Sequence, residues 1–151
     1  MIKIYTDGSS RGNPGPGGYG IVLLYKDNRK EISQGYKLTT NNRMELTAVI
    51  KALEAIKNDK IKIKIYSDSK YVVESIEKGW IWNWEKKNFN KKLNSDLWKV
   101  LIPLYKKFNV KFEWVKGHAG NIENERCDEL ANLAQERELI DDVGYLKVLN
   151  S

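Results

Sequence analysis

Four acidic residues, Asp7, Glu45, Asp68 and Asp128, carry the chemistry that this chain of 151 residues can be expected to do. Asp7 and Asp68 each close a short alternating apolar run, Ile2–Asp7 and Ile61–Asp68, so each carboxylate is predicted where a strand gives way to a turn. Brought together, four carboxylates repel one another strongly in a low dielectric, and such a cluster is tolerated when cations neutralise it. All-oxygen ligation selects Mg²⁺ or Mn²⁺ over zinc, and no grouping of histidine with cysteine is available for a zinc site. Two such ions roughly 3.5–4 Å apart can clamp the attacking and leaving oxygens of a phosphoryl displacement.

The elements that must position these residues follow from the hydrophobic pattern. Ile2–Ser9, the run Tyr19–Tyr25 and Glu31–Lys37 are three strands with short links, which suggests an antiparallel meander. Between the first two lies a glycine-rich turn, Ser10–Gly18. Val49, Ala52, Leu53 and Ile56 repeat at helical spacing, with Asn42 as the expected N-cap and Glu45 three residues on, as in a capping box. Capping alone would account for Glu45, yet it also projects from the apolar stripe, where a carboxylate needs a partner. Ile61, Ile63 and Ile65 mark a fourth strand. If it runs parallel to the first, Asp7 and Asp68 emerge on one side at the carboxyl ends, where open α/β sheets place their ligands; a helix cap is the plainer use of Asp68 or Ser69.

A helix is expected near Tyr71. Trp80, Trp82 and Trp84 then alternate beside Lys86, Lys87, Lys91 and Lys92, a mixture suited both to packing and to a sugar–phosphate backbone. Another helix follows Ser95-Asp96, with Pro103 as a potential kink. Val110–Val115 is the last strand. His118, the only histidine, stands in a glycine-bounded loop and so lacks a packing role. The final helix spans Ile122–Arg137, with Asp128 beside Cys127 at the edge of its apolar face. The order predicts one α/β domain over residues 1–140, a mixed five-stranded sheet with its first three strands antiparallel and helices on both faces, and a loosely held tail over residues 141–151.

Lys plus Arg number 26 against 20 for Asp plus Glu, a net charge of +6 that favours a polyanionic partner or simply a solvated lysine-rich surface. One cysteine precludes an internal disulfide and fits a cytoplasmic setting. No secretory leader or membrane span is expected, and a monomer without an obligate protein partner is.

These blocks together resemble type 1 ribonuclease H. Tyr5–Ser9 with Gly12–Gly20 is similar to the first family signature, Thr39–Leu46 to the second, and Tyr66–Ser69 with Tyr71-Val72 to the third. Trp114–Gly120 and Asn124–Ala131 are similar to the last two. The resemblance implies the ribonuclease H-like fold and Mg²⁺-dependent endonucleolytic cleavage of the RNA strand of an RNA–DNA hybrid, leaving 5′-phosphate and 3′-hydroxyl ends. It implies two Mg²⁺ ions with substrate, Mn²⁺ as a possible substitute, and Asp7, Glu45, Asp68 and Asp128 as both catalytic and metal-binding. By the same resemblance His118 assists proton transfer or product release. Glu45 and nearby main chain meet ribose 2′-hydroxyls, a group only RNA offers. Asn13, Asn41 and Asn42 touch the minor groove, Thr40 lies near a DNA phosphate, and the Trp80–Lys92 region, with Trp80, Trp84, Lys86 and Lys87, grips the DNA strand.

Two departures stand out. Lys70 replaces a common glutamine, and lysine donates but cannot accept hydrogen bonds. Residues Ser75–Gly79 run about one residue longer than the commonest form. No separate hybrid-binding domain is expected before Met1. The competing readings are a non-catalytic module of the same fold, which would be expected to lack a carboxylate, and a DNA-directed relative, which would lack the basic stretch. A small-molecule phosphohydrolase would leave the tryptophan–lysine stretch unexplained.

Overall fold

The computed structural model describes residues 1–117 and 119–151. The meander comprises β1 (Ile2–Ser10), β2 (Gly15–Tyr25) and β3 (Asn28–Thr39), followed by α1 (Asn41–Glu54), β4 (Ile63–Ser67), α2 (Lys70–Glu77), α3 (Trp80–Lys86), α4 (Ser95–Lys107), β5 (Val110–Trp114), α5 (Ile122–Ala134), β6 (Leu139–Ile140) and α6 (Val143–Leu149). The strand order is β5-β4-β1-β2-β3-β6. β1, β2 and β3 pair antiparallel, whereas β4 is parallel to β1 and β5 to β4.

Register explains the core. Ile2, Ile63 and Val110 align across β1, β4 and β5, and Ile4, Ile65 and Phe112 form the next such row. All six are buried, together with Met44, Leu46, Val49 and Leu53 of α1 and Trp98, Leu101 and Ile102 of α4. The alternate residues of β1 and β2 face the other way, where Val22, Cys127 and Leu130 form a smaller cluster against Tyr5. Helices thus cover both faces, as expected.

The sheet has six strands rather than five. The missed strand, β6, is two residues long and pairs with β3 at Gly35 and Tyr36, too short to leave a period in the sequence. The tail expected to be loose after Asp141 instead forms α6 and is tied down by Asp142. Arg43, 1% exposed, lies between two carboxylates: its Nη1 and Nη2 donate to Asp96 at 2.8 and 2.7 Å, and its Nε and Nη2 donate to Asp142 at 2.8 and 2.9 Å. Thr39 Oγ1 also donates to Asp142, at 2.7 Å. A buried guanidinium needs countercharge, and the chain end supplies part of it. Pro103 lies inside α4, which continues to Lys107.

Candidate active site

The site lies where the carboxyl ends of β1 and β4 meet the first turns of α1. Thr6 pairs with Ser67, so Asp7 and Asp68 follow in the next row, on the side opposite the Ile4 row. Asp7 is 6% exposed and accepts a hydrogen bond from the Gly8 amide at 2.9 Å. Ser69, not Asp68, caps α2, its side chain accepting from Val72 N at 3.2 Å. Asp68 is thereby freed of a capping role, and its main-chain carbonyl accepts from Trp114 Nε1 at 3.1 Å.

Glu45 is placed by close approach of backbones. A Cβ on Gly8 would lie 2.5 Å from the Glu45 amide nitrogen and would overlap the Met44 carbonyl carbon. Only glycine lets the first turns of α1 rest on β1 at that point. The cap of α1 is Thr40, whose side chain accepts from Arg43 N at 3.2 Å, rather than the Asn42 expected. Glu45 is therefore two residues too far along for a capping box, and its buried carboxyl owes nothing to the helix end.

Asp128 comes from the opposite layer. Gly20, the β2 partner of Asp7, leaves no room for a side chain, because a Cβ there would overlap the Cys127 carbonyl. α5 thus lies directly on the strand beside Asp7. Cys127 Sγ donates to the Tyr5 carbonyl at 3.2 Å, and burial pushes its thiol up.

One oxygen from each of Asp7, Glu45 and Asp68 lies within 4.8 Å of the others. Asp128 is outside that tight trio but lines the same cleft of about 400 Å³, with Ser9, Asn41, Asn42, Lys70 and Tyr71. Burial pushes the Asp7 carboxyl up to about 9, reinforced by the charges of Asp68 and Asp128. Burial, then the charges of Asp7 and Asp68, holds Glu45 well above the usual carboxylate range. Glu45 Oε1 is buried with no hydrogen-bond partner among the described residues. A negative, desolvated, all-oxygen cluster with an orphaned acceptor fits a hard divalent cation.

Of the other sequence-predicted residues, Asn41, Asn42 and Lys70 line this cleft, whereas Asn13, Thr40, Trp80, Trp84, Lys86 and Lys87 are not among its lining residues. Asn13 Oδ1 accepts from Asn41 N at 3.0 Å, which ties the glycine-rich turn to the start of α1. Trp80 is 44% exposed with Lys78 Nζ over its ring, while Trp84 is half-buried edge-on against Trp98 with Lys92 Nζ over it. Lys86 and Lys87 are exposed. Tyr71 lines both the cleft and a second hollow of about 270 Å³ that it shares with Trp84, Lys91, Lys92 and Leu93, so the two hollows adjoin at this side chain. His118 lies outside the described residues. Sequence reasoning missed the contributions of Gly8, Gly20 and Arg43; the one available signal was a charged Arg43 beside the apolar stripe of α1.

Residues 1–136 match the RNase H family model. This chain belongs to the ribonuclease H family. It is 53% identical over 150 residues to a ribonuclease H of Trichodesmium erythraeum, covering 95% of each chain. It is 58% identical over 135 residues to one from Desulforamulus reducens, covering 86% of this chain and 84% of the relative. Among solved structures it is similar to LC9-RNase H1, with a TM-score of 0.80 and 30% identity over 89% of this chain and 72% of that one. It is also similar to LC11-RNase H1 in complex with an RNA/DNA hybrid, with a TM-score of 0.71 and 28% identity over 90% of this chain and 97% of that one. Family membership at this identity makes the protein an enzyme of the ribonuclease H class. Among the described residues of this ribonuclease H family member, no helix is long and apolar enough to cross a membrane.

Proposed function

We propose that the protein hydrolyses the RNA strand of RNA–DNA hybrids endonucleolytically, with two Mg²⁺ ions, leaving 5′-phosphate and 3′-hydroxyl ends. The observation that carries this is the trio Asp7, Glu45 and Asp68, one oxygen of each lying within 4.8 Å of the others, with Glu45 Oε1 buried and unpartnered among the described residues. Asp7, Glu45, Asp68 and Asp128 would hold the ions, and Mn²⁺, another hard oxygen-seeking cation, is a reasonable substitute. When bound, such ions acidify water and neutralise charge on the attacking and departing oxygens of an in-line displacement.

The chain's own residues do the rest. Asn41 and Asn42, exposed at the rim of the cleft, offer donors and acceptors to base edges in the wide minor groove of a hybrid. Glu45 is assigned the ribose 2′-hydroxyl as well as metal, which selects the RNA strand. Asn13 and Thr40 hold the turn and helix start beside the DNA strand. Lys70, exposed with Nζ 5.0 Å from the Trp114 ring centre, is suited to a phosphate. Trp80, Trp84, Lys86 and Lys87 would take the DNA strand along the hollow beyond Tyr71. His118 is assigned proton transfer or product release. We read the active form as a cytoplasmic monomer.

The test is incubation with an end-labelled RNA–DNA hybrid beside matched double-stranded RNA and DNA. Cleavage confined to the RNA of the hybrid is expected. Equal cutting of the DNA duplex, or no cutting with Mg²⁺ or Mn²⁺ present, would refute the proposal.

A further inference from the structure

The sheet face beneath α5 is only half covered. α5 packs chiefly on β1, β2 and β3, and among the described residues Lys64, Tyr66, Lys111 and Glu113 on this side of β4 and β5 are exposed or half-buried. Three aligned rows lie along it. Asp7 and Asp68 form the first, Tyr5, Tyr66 and Glu113 the second, and Lys3, Lys64 and Lys111 the third. Tyr5 and Tyr66 are stacked with ring centres 4.5 Å apart and planes 9° from parallel. The third row sets three lysines side by side on adjacent strands, whose backbones run about 4.8 Å apart, an arrangement that costs stability when like charges stand opposite. Lys64 is partly relieved by Glu113 at 3.1 Å, whereas Lys3 and Lys111, both exposed, make no ion pair among the described residues. Lys64 and Lys111, with Lys62, also line a hollow of about 390 Å³ at the start of these strands.

We propose that Lys3, Lys64 and Lys111 form a track for the phosphates of single-stranded RNA that continues from the strand held at the acidic cleft. The inference rests on the hybrid-hydrolase reading. Charge complementarity names a polyanion, and continuity with the carboxylate row names the strand. β1 runs from Lys3 to Asp7 at roughly 3.3 Å per residue, so the track begins about 13 Å from the site, within a few nucleotides' reach. A single strand, unlike a duplex, is narrow and flexible enough to follow a sheet face beside α5. Tyr66, half-buried on β4 between Tyr5 and Glu113, lies in the row between the lysines and the carboxylates.

The test uses fluorescence anisotropy in chelator, where nothing is cut, on one hybrid duplex made blunt, with an RNA overhang of either polarity, or with a DNA overhang. The parent protein should bind one RNA-overhang hybrid roughly three- to tenfold tighter than the blunt one, with a salt slope steeper by about 0.7 per added contact. The double variant Lys3→Ala/Lys111→Ala should lose that gain while binding and cleaving the blunt hybrid as the parent does. No gain in the parent, an equal gain from a DNA overhang, or a gain retained in the double variant overturns the track. If the parent does not cut the blunt hybrid with Mg²⁺, the hydrolase reading fails first and the track with it; blunt cleavage without an overhang effect sinks the track alone.

Discussion

Gly8 and Glu45 touch through backbone: a Cβ on Gly8 would come within 2.5 Å of the Glu45 amide nitrogen. The strand that carries Asp7 and the helix that presents Glu45 are in contact one residue beyond Asp7, where their carboxylates meet. Gly8→Ala should therefore push α1 outward. We expect a loss of about 1–3 kcal/mol of stability, typical of overpacking, and a disproportionate loss of turnover, because a displacement near 1 Å at a reacting centre can cost on the order of a hundredfold. Urea unfolding alongside steady-state cleavage checks both.

Asp7→Asn should abolish cleavage and, without divalent ions, raise Tm. The carboxylate it removes is buried and repelled by Asp68 and Asp128. Each kcal/mol relieved corresponds to roughly 2–4 °C in a domain of this size. Differential scanning calorimetry in chelator is the measurement, and a fall in Tm would contradict a tight acidic cluster.

The same carboxyl makes the metal-free protein sensitive to pH. Its folded value is raised from 3.8 to about 9, so the folded state holds a proton that the unfolded state has released. The stabilisation is fully present below about pH 4 and is lost as pH rises toward about pH 9. The Tm difference between Asp7→Asn and the parent should accordingly widen with pH across that window. Saturating Mg²⁺ should flatten the trend, because a bound cation takes over the neutralising role of the proton and releases it.

Removing Arg43 should be costly. Arg43→Ala would leave Asp96 and the buried Asp142 facing each other without their cation, a change worth about 3–5 kcal/mol when one partner of a buried pair is lost. Thermal unfolding reads it directly. Losing the α6 anchor should also make residues 141–151 an early site of limited proteolysis.

Lys86→Ala/Lys87→Ala should raise KM for the hybrid with little change in kcat. The slope of log KM against log salt should become shallower by about 0.7–0.9 for each phosphate contact removed. A kcat loss with KM unchanged would place these lysines in the chemistry rather than in strand binding.

Much of this was legible in the residues. The shared parity of Tyr5 with Asp7 and of Tyr66 with Asp68 put both aspartates on one side once the strands ran parallel, and they do. The tryptophan–lysine stretch divides as its composition suggested, with Ile81 buried, Trp84 half-buried and the lysines outside. Other features were hidden because they depend on partners far along the chain. Nothing local marks Thr40 rather than Asn42 as the cap. Arg43 stands beside the apolar stripe of α1, but its partners Asp96 and Asp142 arrive from 53 and 99 positions away. Gly8 and Gly20 fall inside predicted strands with nothing local to mark them, yet both serve close passage of a helix backbone.

The seal around Cys127 has a practical use. Its Sγ sits beneath α5 against the Tyr5 carbonyl, and the next residue is Asp128. A thiol reagent can reach it only when that helix lifts, so the rate of labelling is a clock for detachment of the layer that brings Asp128 to the cleft. If Asp128 joins Asp7 in holding magnesium, as proposed, saturating magnesium should slow that clock, and the native cysteine thereby supplies a probe of site assembly that needs no substrate and no engineered tag.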